Sequence, residues 1–357
     1  MRQRESQKHW RNYVRWVAIG FVLVQVALAF VQEGCQAVRD PDFDSLSRLI
    51  SARRAEAPAR PLFLALGSSR TLMALRAERL NPPMDAAPLT INCSFLGGGP
   101  MMHQIVLRRL LAAGHRPSLV FLEVMPLALS ARDKAPVEER QRFIARYTAS
   151  EVVCLWPYYS EKHRLIAPWA FARLLPCDRS QAELHDALGI DKAPGYEAGG
   201  RGRDRYGSCP CGRSFSREEV DAQTRASLEH YASALTQPAL APGTVRAVRD
   251  LTALCRVNGI AIEFIMPPEG SLFRGYAPAV AEIQANAVRG LARELGVPVT
   301  DARAWVDDDG FYDGHHANIQ GADQYTERFR REILQPHLGT RSAALANATG
   351  TGGCPKP

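Results

Sequence analysis

Pro61-Leu62-Phe63-Leu64-Ala65-Leu66-Gly67-Ser68-Ser69-Arg70-Thr71 is the stretch whose reading decides the fold. An apolar run of strand length stops at a glycine, two serines come next, and a helical pattern begins at once. In an α/β domain the turn after the carboxyl end of a strand is where ligands and catalytic groups collect. A serine held there, at a helix amino terminus, has backbone N–H groups beside it that suit a developing oxyanion. On this stretch alone, the commoner role for Ser68 or Ser69 is to cap the helix.

Working outward, strand and helix alternate. Leu72, Leu75 and Leu80 mark a helix that ends before Pro82-Pro83. Leu89 to Cys93 reads as a second strand, followed by Gly97-Gly98-Gly99-Pro100 and a helix stopped at Gly114. Ser118 to Val124 is a third strand, apolar through Leu119-Val120-Phe121-Leu122 as a strand covered on both faces should be. The rhythm then breaks for roughly a hundred residues, far beyond an ordinary connection. It resumes with a helix lined by Val245, Val248, Leu251 and Leu254, and a strand from Ile260 to Met266. A helix through Val280, Ile283, Ala287, Leu291 and Leu295 leads to a short fifth strand, Val297 to Thr300. The last helix carries Ile319, Ala322, Tyr325, Phe329 and Ile333 at spacings of three and four. The pattern predicts a three-layer α/β/α domain over residues 61–336 with a mostly parallel five-stranded sheet, interrupted by a helical insertion at about 128–225.

The first part of the insertion, Glu138 to Leu175, is helical in pattern and rich in aromatics: Phe143, Tyr147, Trp156, Tyr158, Tyr159, Trp169 and Phe171. Such a cluster can form a substrate wall or a partner surface, and more often is the small core of an insertion. Its second part, Pro194 to Arg213, holds six glycines with Arg201, Arg203, Arg205 and Arg213, the composition of a mobile basic loop. Residues 337–357 are small, polar and glycine-rich, a disordered tail by composition.

The 357-residue chain carries a net charge of +7. Much of the excess sits in the amino-terminal tail and the glycine-rich loop, and no nucleic-acid motif accompanies it, so nucleic acid is not an expected partner. The tail has another reading. Arg2, Arg4, Lys8, Arg11 and Arg15 precede an apolar run from Trp16 to Val31 broken only by Gly20 and Gln25. With Tyr13 and Val14 that run reaches the lower limit for a span. Glu33, Asp40, Asp42 and Asp44 lie beyond it, so the positive-inside rule keeps the tail in the cytoplasm and exports the chain after about residue 33. Residues 1–33 are therefore expected to be a tail and single-pass anchor in the inner (cytoplasmic) membrane of a bacterium, and 34–60 a charged, alanine-rich spacer with room for one helix. A cleaved signal peptide is the competing reading, but Phe30-Val31-Gln32-Glu33 is no small-x-small site. Export would permit disulfides among the eight cysteines. Cys93 and Cys255 fall in predicted core elements, whereas Cys154, Cys177, Cys209 and Cys211 lie in one irregular region that they could staple. No second short-spaced pair supports a zinc site, so neither metal nor cofactor is expected.

Near the far end comes Phe311-Tyr312-Asp313-Gly314-His315-His316-Ala317-Asn318. A serine hydroxyl needs an imidazole to take its proton and a carboxylate to orient that imidazole. Asp313 and His316 lie three apart in a loop, and this loop and the Ser69 turn both come after strands on the carboxyl edge of the predicted sheet. Asn318 suits a helix cap.

Gly67-Ser68-Ser69, the block from Asn92 to Gly99 and Asp313-x-x-His316 together resemble the SGNH (GDSL-like) hydrolases. The likeness is closest to membrane-anchored envelope relatives: the alginate and cellulose O-acetylation proteins, the teichoic-acid D-alanylation protein, and bacterial families opening with Gly-Ser-Ser-Arg. The resemblance implies Ser69 as nucleophile with its own N–H as one oxyanion donor, Gly97 as the second, His316 as base and Asp313 as its partner; His315 is the rival base. It further implies an exported serine esterase or O-acyltransferase, acting on acyl esters of envelope or exopolysaccharide alongside a multi-span membrane acyltransferase. Two departures stand out. Ser68 replaces the family's aspartate, and no asparagine lies near Met125-Pro126-Leu127, where a third block should supply an oxyanion donor. They leave open a non-catalytic module that binds polysaccharide or scaffolds a membrane complex. Glu123, at the end of strand three, either faces the pocket or is a satisfied structural carboxylate.

Overall fold

The computed structural model describes residues 2–82, 87–132, 135–136, 138, 142–175 and 202–338. The chain divides into two units, residues 1–45 with 141–200, and residues 46–140 with 201–357. The strands are β1 (Leu62–Leu66), β2 (Leu89–Asn92), β3 (Leu119–Glu123), β4 (Ala261–Met266) and β5 (Val299–Asp301). The helices that bear on the fold and the site are α1 (Arg2–Gly34), α2 (Ser69–Ala74), α3 (Pro100–Ala112), α4 (Ala149–Leu155), α5 (His163–Leu174), α6 (Arg217–Leu235), α7 (Pro242–Val257), α8 (Pro278–Glu294) and α9 (Ile319–Phe329).

In the larger unit the five strands form one sheet in the order β2-β1-β3-β4-β5, every neighbour parallel. Leu64 pairs with Ile91 on one side and Val120 on the other. The chain leaves β1 outward to β2, then crosses back to β3 on β1's other flank. Connections therefore depart in opposite directions between β1 and β3, which opens a crevice at their carboxyl ends. That crevice is where the Ser69 turn lies.

All five residues of β1 and of β3 are buried, which explains why neither strand alternates in polarity. One face holds Phe63, Ala65, Phe121 and Ile265 against Ala322, Tyr325 and Phe329 of α9. The edge of Phe121 meets the ring of Phe329 at 4.9 Å and that of Phe63 at 6.1 Å. Leu62, Leu64, Leu66, Val120 and Leu122 point the other way and are equally buried; helices α3 and α7 pack on one another. Beyond α9 the helix loosens into a π-helical turn, Arg330–Leu334, which keeps both Ile333 and Leu334 inside.

The sequence pattern is corrected at several places. The first helix stops at Ala74 and is succeeded by a separate 3₁₀ turn, Ala77–Leu80. The one helix allowed for in the spacer is Pro41–Glu56, and what the sequence did not show is that its Phe43, Leu46 and Ile50 are buried. Over its described residues the glycine-rich basic loop is held by hydrogen bonds to the larger unit's own backbone. Arg203 donates to the carbonyls of Ser94 and Gly207 and lies over the Phe95 ring. The Ser208 hydroxyl accepts from Ala77 N, and Asn92 N donates to Tyr206 O, which ties the loop along β2. The rest of that loop, and the tail from residue 339, lie outside the described residues. Cys93, Cys154, Cys211 and Cys255 are free thiols, and no disulfide staple forms among the described residues; Cys177 lies outside them. Burial pushes the Cys93 and Cys255 thiols up to about 12, which keeps both inert.

The smaller unit holds α1, a 3₁₀ turn Arg142–Arg146, α4 and α5. Its core is Ile144, Tyr147, Val152, Leu155, Tyr158, Tyr159 and Leu165. Trp169 is pinned by a bond from Nε1 to Tyr147 O. Trp156 and Phe171, expected inside, are 43% and 51% exposed, and the side chain of Phe143 lies outside the described residues. Residues His9–Gly34 make a helical stretch of 26 residues long and apolar enough to cross a bilayer.

Phe329 is 1% exposed. Phe329→Ala is expected to cost about 3–5 kcal/mol through lost burial and the cavity left at Phe121, read as a lower denaturant midpoint with an unchanged slope.

Candidate active site

The turn after β1 is fixed from below by one buried carboxylate. Glu123, the last residue of β3, is 5% exposed and accepts from Ser68 N at 3.0 Å, Ser68 Oγ at 2.6 Å, and both the N–H and the hydroxyl of Thr71. Glu123 is thus a satisfied structural group. Gly67 is required there: a Cβ would sit 2.6 Å from Glu123 Oε2 and 2.5 Å from Thr71 Cβ. Of the two serines, Ser68 is the helix cap, its Oγ accepting from Arg70 N. The Ser69 hydroxyl is left for other work.

Its partner comes from the loop between β5 and α9. Asn318 caps α9, its Oδ1 accepting from Gly321 N. Gly314 has φ +80°, and its carbonyl accepts from Gly270 N. A Cβ at Gly314 would also meet Thr224 and Phe273 at about 3 Å, so glycine is needed for space as well as for φ. That tight turn lets Asp313 fold back on its own loop. Asp313 Oδ1 accepts from the backbone N–H of His315 and His316, and Oδ2 lies 2.7 Å from His316 Nδ1. His316 Nε2 lies 2.7 Å from Ser69 Oγ, across 247 residues of sequence. With Nδ1 carrying its proton toward Asp313, Nε2 is free to accept from the serine.

Burial alone would raise the Asp313 carboxyl, but hydrogen bonds from His316 and the nearby imidazoles hold it well below the usual carboxylate range. It is therefore ionised throughout the neutral range. His315 stands apart. It is 5% exposed, with its ring against Phe273 at 4.8 Å and Tyr231 at 5.6 Å. Burial, His316 and Arg70 push its pKa well below 6.5, so it stays neutral. The hydrogen bond of Ser69 goes to His316 and not to His315. Arg70, only 2% exposed, pairs with Glu269 at 2.6 Å, and its other terminal nitrogen has no partner among the described residues.

Gly97 lies in the loop after β2 at φ 67°, and Phe95 N donates to Gly67 O at 2.9 Å, which places this loop beside the Ser69 turn. Asn92 supplies nothing to the crevice. Its amide donates to the carbonyls of Thr71, Leu72 and Leu75, closing the end of α2. At the start of α3, Glu138 accepts from Met101 N and Met102 N. A Cβ on Gly99 would come within 2.6 Å of that carboxylate. Burial, only partly offset by those bonds, pushes Glu138 up to about 7.

Tyr312 stacks on the His316 ring at 5.7 Å, and Phe215 stacks on Tyr312 at 4.9 Å. The far side of that stack opens into a cleft of about 720 Å³ whose walls include Arg213, Phe215, Arg217, Asp221, Tyr312 and Gln320. Ser69 and His316 are not among its lining residues. Neither Phe215 nor the Arg70–Glu269 pair stands out in the sequence. Phe215 is a lone aromatic in a polar stretch, and Arg70 reads as a helix surface residue until its burial is known.

Asp313, His315 and His316 are also a set whose potential ligand atoms lie within 4.8 Å of one another. Both ring nitrogens of His316 are already hydrogen-bonded, so a cation would find one imidazole and one carboxylate, fewer than the three protein ligands of a catalytic zinc site.

No protein-family model matches the chain, and no curated protein does. Among solved structures it is similar to a protein from Bacteroides fragilis NCTC 9343 assigned as an acylhydrolase, at 11% identity and TM-score 0.37, over 80% of this chain and 94% of that one. It is also similar to a GDSL-like lipase from Bacteroides thetaiotaomicron VPI-5482, at 11% identity and TM-score 0.36, over 82% and 99% of the two chains.

Glu138 gives a pH dependence with a definite sign. Its folded pKa lies above the unfolded value of 4.5, so the native state holds the proton that the unfolded state loses. Stability from this group is full below pH 4.5, falls by about 1.4 kcal/mol per pH unit as pH rises toward 7, and then levels. Glu138→Gln is expected to remove that slope from a denaturation series across the window, and an unchanged slope would contradict the assignment. Equilibrium dialysis against zinc is expected to show no stoichiometric binding at these residues; tight binding lost in His316→Ala would move His316 to the role of a ligand.

Proposed function

We propose that the protein is a membrane-anchored serine enzyme of SGNH type that acts on acyl esters outside the cytoplasm. The observation that carries the reading is the pair of 2.7 Å contacts, Ser69 Oγ to His316 Nε2 and His316 Nδ1 to Asp313. Ser69 Oγ attacks the ester carbonyl as its proton passes to His316 Nε2. Asp313 stays ionised and stabilises the imidazolium. His316 then returns the proton to the leaving alkoxide, and a covalent acyl–Ser69 remains. Water or an acceptor hydroxyl, deprotonated by the same imidazole, releases the acyl group. The N–H groups of Ser69 and Gly97 are assigned to the oxyanion.

The finer parts of the reading come from the resemblance and from α1. A tethered site suits an immobile polymer better than a diffusing metabolite, so the acceptor is placed in an envelope or exopolysaccharide. Transfer, with a multi-span acyltransferase as donor partner, is favoured over plain hydrolysis. A missing oxyanion donor costs about a hundred- to a thousandfold in rate, which fits a slow, partner-dependent step. The α1 helix, with its basic amino-terminal flank, supports a single inner-membrane span with the larger unit outside the cytoplasm.

One observation favours a second reading, a non-catalytic glycan-binding or scaffold module. Asn92 is spent on three backbone carbonyls and Glu123 fills the floor beneath Ser68, so neither offers a side-chain donor to an oxyanion. Turnover of p-nitrophenyl acetate separates the two. Ser69→Ala and His316→Ala are each expected to lower it by about a thousandfold or more. Ser68→Ala, which removes both the cap and one bond to the buried Glu123, is expected to lower stability by about 2–4 kcal/mol and turnover far less than either. Full turnover by Ser69→Ala would refute the assignment.

A further inference from the structure

The outward face of α5 carries the wrong residues for contact with water. Leu165 and Ala172 are buried, while Phe171 is 51% and Leu174 is 73% exposed. Ala167 and Pro168 are exposed on the same side, since positions three and four apart share a helix face. Val153, 72% exposed on α4, and Trp156 just after it add to the apolar area. The charged side chains sit at the two ends: Glu161, Lys162, His163 and Arg164, with Arg164 paired to Glu161 at 2.7 Å, before the first turn closes, and Arg173 in the last. Two of them lie over indole rings, Lys162 over Trp156 at 5.3 Å and Arg173 over Trp169 at 4.2 Å. Tryptophan and cations bordering an apolar face are the composition of a helix at a bilayer interface.

What covers this face is indicated by its neighbour. Arg173 pairs with Glu33 at 2.5 Å, at the end of α1. Between the two helices runs a groove of about 460 Å³, walled by Phe21, Val22, Val26, Phe30 and Leu174 with Glu33 and Arg173 among its lining. The exposed side of α5 is thus continuous with the apolar surface of the candidate span, and Leu174 belongs to both. If α1 is embedded, a residue that shares a groove with Phe21 and Phe30 lies at the depth of acyl chains, and the Arg173–Glu33 pair lies near the phosphates.

We propose that α5 is a second membrane contact. Its Ala167–Leu174 face enters the leaflet that receives the Glu33 end of α1, and Lys162, Arg164 and Arg173 meet the headgroups. The proposal rests on the reading of α1 as a membrane span, and its test separates the two. Full-length protein is reconstituted into phosphatidylcholine–phosphatidylglycerol nanodiscs with the photoreactive p-benzoylphenylalanine placed singly at Phe171, Leu174, Phe21 or Val257. Val257, 87% exposed at the end of α7, is the aqueous control. After irradiation, lipid adducts counted by mass spectrometry are expected at Phe171, Leu174 and Phe21 at least about tenfold above Val257, because acyl chains are excluded from water. Adducts at Phe21 with only the Val257 level at either Phe171 or Leu174 would overturn the proposal and leave the span intact. That includes the case in which those positions crosslink to protein. No lipid adduct at Phe21 would remove the span and the proposal with it.

Discussion

The arrangement of the site depends on one buried carboxylate. Glu123 ends β3, next to β1 in the sheet, and gathers the N–H and hydroxyl groups of both Ser68 and Thr71. A carboxyl group in a dry site must have its oxygens satisfied, and leaving such an acceptor unpaired is costly. The turn after β1 therefore has few alternatives. Ser68 is drawn inward as cap and ligand of Glu123, and Ser69, one residue on, is turned toward the crevice. A side chain that never reaches His316 in this way decides which serine does.

The crevice is a product of topology. The order β2-β1-β3-β4-β5 makes the carboxyl ends of β1 and β3 the place where successive connections part. The chain closes that crevice from the other end of the sequence, with a loop whose left-handed Gly314 allows Asp313 to hold its own neighbour's imidazole. Helix α9 anchors this loop by burying Tyr325 and Phe329 against Phe121 of β3. Sheet, helix and loop thus position one another through a single core.

Much of this was legible in the residues. Fully buried parallel strands show as unbroken apolar runs, so β1 and β3 could be located from composition alone. The i, i+3, i+4 spacing placed α7, α8 and α9 within a few residues of their bounds. Ser69, Asp313 and His316 were singled out because their chemistry requires those residue types at strand ends, and the fold brings the three together. The rest was hidden for physical reasons. Glu123 could not be assigned because burial and partner are tertiary facts, and Arg70 pairs with a carboxylate 199 residues away. Glycine and arginine content suggested motion in residues 202–213, but Arg203 spends its donors on backbone carbonyls, which composition cannot show. Aromatics in the insertion suggested a core, yet Phe171 faces outward, because a helix beside a candidate span need not hide its apolar side.

The central claim is that Ser69 is an activated nucleophile and not merely a hydroxyl near an imidazole. It is tested most directly by treating the folded, full-length protein with a fluorophosphonate and mapping the adduct by mass spectrometry. The account predicts one phosphonylated residue, Ser69, and loss of that adduct in His316→Ala. An unlabelled wild-type protein that is folded, or an adduct on another serine, would contradict it.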